Sequence, residues 1–238
     1  VPDSVVLLHG FSGTRRAWDG VIALLDAERY RPLALDLPGH GDADDARQPI
    51  TFADCVQTVL ALAPERFTLC GYSLGGRVAL HIALAAPEHV SRLVLVSCSA
   101  GIEDPHERAS RREADDQLAR DLEREPFEAF IDRWRTQPLF AGEPPSVGEL
   151  ARADQRRNDP EALAAVLRGL GAGAMEPLWG RLGELSMPVT VIAGARDVKY
   201  VSLGQRMVER LPAARLLVVE GGHGLVLENP AAIAHALA

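Results

Sequence analysis

Phe67-Thr-Leu-Cys-Gly-Tyr-Ser-Leu-Gly-Gly-Arg77 decides the reading of this chain. Its first half is a short apolar run of the kind that suits a strand buried on both faces. Its second half opens a helical pattern over 74–86. Pro87 closes that pattern, because the residue before a proline disfavours the α region. Between them lies Gly71-Tyr-Ser-Leu-Gly75, a G-x-S-x-G pattern set directly between strand and helix. That context predicts a sharp turn holding Ser73 in a strained conformation. Glycines two residues to either side remove Cβ atoms that would meet neighbouring backbone. The helix start leaves free N–H groups, so Leu74 N–H is placed to stabilise an oxyanion. The plainer alternative is a Gly-rich turn with an incidental serine, and the flanking strand and helix weigh against it.

Working outward, the same plan repeats. Val5–Leu8, Pro32–Asp36, Arg92–Ser97, Val189–Ala193 and Arg215–Val219 are apolar runs closed by Gly or polar residues. Helical patterns at about 16–27, 51–63, 201–211 and 230–237 alternate with them. Alternation of this kind means right-handed βαβ units and a mostly parallel, open α/β sheet with helices on both faces. The exception is 101–183, which is Arg- and Glu-rich, helical in period and free of strand-like runs. It reads as a helical cap insertion over one edge of the sheet. The expected organisation is therefore a core of 1–100 and 184–238 interrupted by a cap of 101–183. Reactive groups of such a sheet lie at the carboxyl ends of its strands.

With 238 residues, one domain carrying an insertion is the favoured count. A hydrophobic content of 47% excludes a wholly disordered chain. The apolar stretch Val78–Ala86 is broken by His81 and is far too short to span a bilayer. A net charge of -8 argues against a nucleic-acid binder that relies on general positive charge. Cys55, Cys70 and Cys98 sit in apolar segments and read as buried thiols of a reducing compartment. No charged-then-apolar leader precedes Val5, which points to a cytoplasmic protein, although a start without Met leaves room for residues upstream. Zinc-type spacing of His and Cys is absent, and neither a metal nor an organic cofactor is expected. The sequence does not fix the oligomeric state; a monomer is favoured.

A serine hydroxyl needs a base, and there are seven histidines. His223, in Glu220-Gly-Gly-His-Gly224, follows the last strand. His81, His89 and His235 sit in or beside helices and read as structural or solvated. His9 follows the first strand, where its role is to hold the loop. Asp197, in Gly194-Ala-Arg-Asp197, follows the fifth strand and is placed to orient an imidazole; taken alone it could equally cap the next helix. Ser73, Asp197 and His223 thus come from three strand ends, in the order of one known hydrolytic triad class. His9-Gly-Phe-Ser-Gly13 supplies a second loop, whose Phe11 N–H would sit beside Leu74 N–H; Phe11 also serves as a packing residue. Asp36-Leu-Pro-Gly-His-Gly41 is assigned a structural role.

Carried by these residues, the chain resembles the α/β-hydrolase superfamily over nearly its whole length. It is most similar to the 2-succinyl-6-hydroxy-2,4-cyclohexadiene-1-carboxylate (SHCHC) synthases of menaquinone biosynthesis. The more specific matching segments are Gly71–Arg77, Phe130-Ile-Asp-Arg-Trp134 with Pro138-Leu-Phe140, Gly169–Gly173 with Pro177-Leu-Trp179, and Asp197-Val-Lys-Tyr200. The resemblance implies a lyase that eliminates pyruvate from 2-succinyl-5-enolpyruvyl-6-hydroxy-3-cyclohexene-1-carboxylate (SEPHCHC), a tricarboxylate, with Ser73 acting as a base. It also implies cationic walls. By resemblance Arg77, Arg111, Lys199, Tyr72 and Trp134 contact substrate. The plainer readings are surface charge for Arg77 and Arg111, and packing for Tyr72 and Trp134. Lys199 is the single lysine among 25 basic residues, which weakens a bland reading for it. A second cap arginine of the family falls at Gln155, with Arg156 and Arg157 beside it; either a one-residue shift brings Arg156 into the site or one carboxylate contact is lost. The family sheet's leading strands are expected to be shortened or missing. The rival readings are a serine carboxylesterase or C–C bond hydrolase, and a non-catalytic hydrolase-like binding protein.

Overall fold

Alternate residues of each central strand feed two different apolar layers, which is why these strands read as unbroken apolar runs. The computed structural model describes residues 2–43 and 50–238. Six strands form one sheet: β1 (Asp3–Leu8), β2 (Tyr30–Leu35), β3 (Phe67–Tyr72), β4 (Val90–Val96), β5 (Val189–Gly194) and β6 (Ala214–Val219). All pairings are parallel, in the order β2-β1-β3-β4-β5-β6. Val6, Leu8, Leu69, Leu93, Leu95 and Val191 face one layer, while Val5, Leu7, Cys70, Val94, Val96 and Ile192 face the other.

The first layer is closed by α2 (Phe52–Leu62), α3 (Leu74–Ala85) and α8 (Val198–Val208), through Cys55, Val59, Val78, Ile82 and Met207. α2 begins with a reciprocal cap, in which Thr51 and Asp54 bond each other's backbone N–H. The second layer is closed by α1 (Asp19–Ile22), α9 (Leu225–Glu228) and α10 (Pro230–Leu237), with Trp18, Val21, Leu225 and Ile233 buried. All three cysteines are buried free thiols. The helix expected over 16–27 is in fact a 3-10 turn, Arg15–Trp18, followed by the single turn of α1. Ala17, Trp18 and Val21 of this stretch are buried, whereas Leu24, beyond α1, is 55% exposed.

Between β4 and β5 come α4 (Pro105–Arg124), α5 (Phe127–Arg135), α6 (Pro145–Gln155) and α7 (Pro160–Leu170). Ala119, Leu122, Phe130, Leu163, Ala164 and Leu167 make an apolar cluster of their own among α4, α5 and α7. Met175, Trp179, Leu182 and Leu185 instead belong to the first layer under the sheet. Gly173 lets the following loop lie against α4: a Cβ there would stand 2.2 Å from the Arg112 nitrogen. Among the described residues no helix is long and apolar enough to cross a membrane.

Candidate active site

At the end of β3 the chain turns so sharply that Ser73 adopts φ 51°, ψ -106°, a left-handed value that non-glycine residues rarely take. The neighbouring glycines make this possible. A Cβ on Gly71 would lie 2.2 Å from the Gly75 carbonyl oxygen, and one on Gly75 would lie 2.2 Å from the Leu8 carbonyl oxygen. The turn is pinned by Ser73 N–H donating to Val96 O (2.9 Å) and Gly75 N–H donating to His9 O (3.0 Å). Strain at this position is sustained because two neighbouring strands hold it.

His223, 2% exposed, hangs from the loop after β6. Its Nδ1 lies 2.7 Å from Asp197 Oδ2, and its Nε2 lies 3.1 Å from Ser73 Oγ. Asp197 is held at the start of α8, where its carbonyl accepts N–H bonds from Tyr200 and Val201, both at 3.0 Å. The loop carrying His223 is fixed by Glu228, whose carboxylate accepts Gly222 N–H and pairs with Arg196. The three residues separated by 124 and 26 positions in sequence therefore form one hydrogen-bonded row (73 to 197, 197 to 223).

Leu74, the first residue of α3, carries one of the helix-start N–H groups that have no intrahelical acceptor. Phe11 lies in the loop opposite, lining the same cavity. That loop is braced from several sides. His9 Nδ1–H donates to Gly10 O (2.8 Å), and its Nε2 accepts Leu37 N–H (3.0 Å). His40 Nε2 accepts Ser12 N–H (3.3 Å). From the end of α6, Asp154 accepts Thr14 N–H and the Thr14 hydroxyl, while the Gln155 side-chain amide donates to Ser12 Oγ (2.8 Å). Asn158 adds a bond to Ser12 O (2.9 Å). Sequence reading missed Asp154 and Asn158, because partners about 140 residues away leave no local trace.

The histidines of this brace make the fold acid-sensitive. Burial pushes the pKa of His9 below its ordinary 6.5 and that of His40 well below it. Each uses Nε2 as an acceptor, a role that protonation removes. Below pH 6.5 the unfolded chain therefore takes up protons that the fold refuses, so stability present above that pH is lost as pH falls. The urea midpoint is expected to drop between about pH 7.5 and about pH 5.5, before most carboxylates titrate. An unchanged midpoint would show that neither imidazole contributes.

A cavity of about 310 Å³ opens over Ser73, within the range of small-molecule sites. Arg77, Arg111, Lys199, Tyr200, Trp134 and Phe11 are among its walls. Arg77 donates from Nη1 to Leu170 O (2.7 Å), and burial lowers its pKa from the usual arginine value. Arg111 Nε binds buried Asp115 (2.8 Å), which also accepts Gly173 N–H. Lys199 is exposed and has no carboxylate partner among the described residues. Trp134 meets Phe11 edge-on, with centroids 5.1 Å apart. Tyr72 is placed differently: its ring, 5.6 Å from that of His223, lines a smaller chamber of about 60 Å³ shared with Arg135, Phe140 and Gln155.

Arg156 is not brought to the site, which corrects the expected shift. It forms a two-point pair with Glu128, both bonds 2.8 Å, on the outer surface. One residue is about 100° of helix, so Gln155 turns inward to brace Ser12 while Arg156 turns out. Tyr200, quoted only as part of a matching segment, turns out to face the cavity; lying three residues after Asp197 on one helical turn was the available signal.

Residues 5–236 match the alpha/beta hydrolase family. A protein of Enterobacter sp. (strain 638) named 2-succinyl-6-hydroxy-2,4-cyclohexadiene-1-carboxylate synthase is 33% identical, over 98% of this chain and 90% of the relative. A Klebsiella pneumoniae protein of the same name is also 33% identical, over 98% and 92%. Among solved structures, MenH from S. aureus superposes with a TM-score of 0.92 at 29% identity, covering 98% of this chain and 91% of that one. By full-length match in both sequence and backbone, the chain belongs to the α/β-hydrolase family and, within it, to the SHCHC synthases.

Proposed function

We propose that this chain eliminates pyruvate from SEPHCHC to give SHCHC, acting as a lyase of menaquinone biosynthesis. The observation that carries the reading is the cation-lined cavity, with Arg77, Arg111 and Lys199 set around a serine wired to His223. A tricarboxylate needs such walls, whereas a neutral ester does not.

The two ring names define the chemistry: a 3-ene becomes a 2,4-diene. The hydrogen on C2 lies next to the succinyl ketone, so its removal gives an enolate. Ser73 takes that proton while passing its own to His223, and Asp197 stabilises the imidazolium. The N–H groups of Phe11 and Leu74 accommodate the charge on the enolate oxygen. Electrons then move through C3 and C4, the C5–O bond breaks, and enolpyruvate leaves. Proton return from His223 converts it to pyruvate. No water is consumed.

The same triad geometry also suits ester hydrolysis, so the direct test compares SEPHCHC elimination with p-nitrophenyl ester hydrolysis in one preparation. Elimination far exceeding hydrolysis supports the lyase; the reverse rejects it. Alanine at Arg77, Arg111 or Lys199 should each lower kcat/KM for the tricarboxylate about ten- to a hundred-fold, the worth of a charge-assisted hydrogen bond of roughly 1.5–3 kcal/mol. Hydrolysis of a neutral ester should barely respond. Because Arg111→Ala also strips Asp115 of its ion pair, its melting temperature is measured alongside. Added salt should raise KM for the tricarboxylate more than for the ester. Three variants as active as the parent would leave the substrate assignment without its chemical support.

A further inference from the structure

Two tyrosines flank His223, and they open on different spaces. Tyr72 lines the small chamber, whereas Tyr200 lines the reaction cavity. The Tyr200 ring centroid stands 4.6 Å from that of His223. Its position is set by the triad itself, since Tyr200 N–H donates to the Asp197 carbonyl. The ring is deeply set, yet its hydroxyl makes no hydrogen bond among the described residues and is not sealed in protein; Tyr200 lines both the reaction cavity and an adjoining cleft that shares Ser99, Arg111 and Lys199 with it. Besides Ser73, the polar side chains of the reaction cavity include Arg77, Arg111, Lys199, Ser99 and Gln137.

Burial pushes the phenol pKa up, and Asp197 adds to this; Arg77 and Arg111 pull the other way, but burial prevails. The hydroxyl therefore keeps its proton and is a donor. Arginine and lysine hold donors only, and neither Ser99 nor Gln137 is hydrogen-bonded to the hydroxyl, so among the described residues it has no acceptor. Ring packing against His223 would be served equally by phenylalanine, and a hydroxyl left without an acceptor once a ligand displaces solvent from the cavity is unfavourable. An oxyanion drawn in by the flanking guanidinium groups supplies the missing acceptor.

We propose that the Tyr200 hydroxyl donates a hydrogen bond to a substrate carboxylate seated between Arg77 and Arg111. Tyr200 is then a specificity residue of the reaction cavity, a role that rests on the synthase reading above. Tyr200→Phe tests it, because the ring stays and only the hydroxyl leaves. KM for elimination should rise about tenfold, the worth of one hydrogen bond to a charged group, with kcat changed far less. The dissociation constant of propane-1,2,3-tricarboxylate, measured by calorimetry, should rise in parallel.

A variant whose KM and dissociation constant both stay within about twofold of the parent would overturn the proposal. So would a fall in kcat with KM unchanged, since the hydroxyl would then be acting on the chemistry and not on a bound carboxylate. The calorimetric arm separates the two readings. If the parent releases no pyruvate, the synthase assignment fails, while the tricarboxylate affinities of parent and variant still decide whether Tyr200 holds a carboxylate.

Discussion

Ser73→Ala is expected to lower pyruvate elimination by about 10⁴-fold or more while leaving the protein folded. The serine Oγ lies 3.1 Å from His223 Nε2, and alanine leaves that nitrogen with no hydroxyl through which to draw the ring proton. Triads that lose a member retain only what binding and the oxyanion groups supply, a deficit of about 10⁴–10⁶. On the proposed mechanism the retained part would be the N–H pair of Phe11 and Leu74 with the cationic walls, which would still hold substrate, so KM should change little. The fold should tolerate the change. Alanine meets the same positive φ that Ser73 already tolerates, and the glycines that relieve the turn remain. Stability should move by about 1 kcal/mol or less, as for most changes outside the core. Pyruvate release and the thermal melt are the two readouts. Turnover near that of the parent would remove Ser73 from the mechanism.

The strand-turn-helix at 67–77 was legible because its geometry is unforgiving. A positive φ at Ser73, and carbonyl oxygens that a Cβ on Gly71 or Gly75 would meet at 2.2 Å, admit few sequences. The strands were legible for a related reason: both sheet faces are buried, so nearly every position along β3 to β5 had to be apolar or small, with half-buried Arg92 near the start of β4 the exception. What escaped was phase and distance. At the end of α6 three successive residues, Gln155, Arg156 and Arg157, offered a cation or an amide, and the sequence does not fix helix rotation to better than one residue. The structure turns Gln155 to Ser12 and Arg156 to Glu128. The bonds of Asp154 and Asn158 to the loop at 12–14 join segments that no periodicity relates. Tyr200 was legible in principle, since it follows Asp197 by three residues at a helix start.

Those long-range braces bear on chemistry as well as on stability. The loop carrying Phe11 is held by His9 and His40 on the sheet side and by Asp154, Gln155 and Asn158 on the α6 side. An oxyanion donor acts through preorganisation, so its worth depends on not having to move during the reaction. The helices between β4 and β5 therefore do more than cover the cavity: the end of α6 fixes the loop that would meet the enolate oxygen. Gln155, standing where a cation was expected, is committed to that brace.

Asp197→Asn should cost nearly as much as removing the serine, although it changes the side chain hardly at all in shape. Asp197 Oδ2 lies 2.7 Å from His223 Nδ1 and holds the proton there, leaving Nε2 free to accept from Ser73. An amide that turns its NH2 toward Nδ1 reverses this, putting the proton on Nε2, where it blocks the transfer. The carboxylate's charge, which stabilises the imidazolium, is lost in either orientation. The backbone bonds from Tyr200 and Val201 to the Asp197 carbonyl do not involve the side chain, so the start of α8 and the cavity wall should persist. A drop of about 10⁴ in kcat with little change in KM is expected. Nitrogen NMR of the His223 ring provides the second readout, a shift of the proton from Nδ1 to Nε2. Full activity would mean that another carboxylate orients the imidazole. The other carboxylates near the His223 loop are already engaged, Glu220 by Arg196, Glu228 by Gly222 N–H and Arg196, and Glu143 by Arg135. None is available to take over unless those contacts break, and so a fully active Asp197→Asn enzyme would contradict the row of bonds from which the mechanism is built.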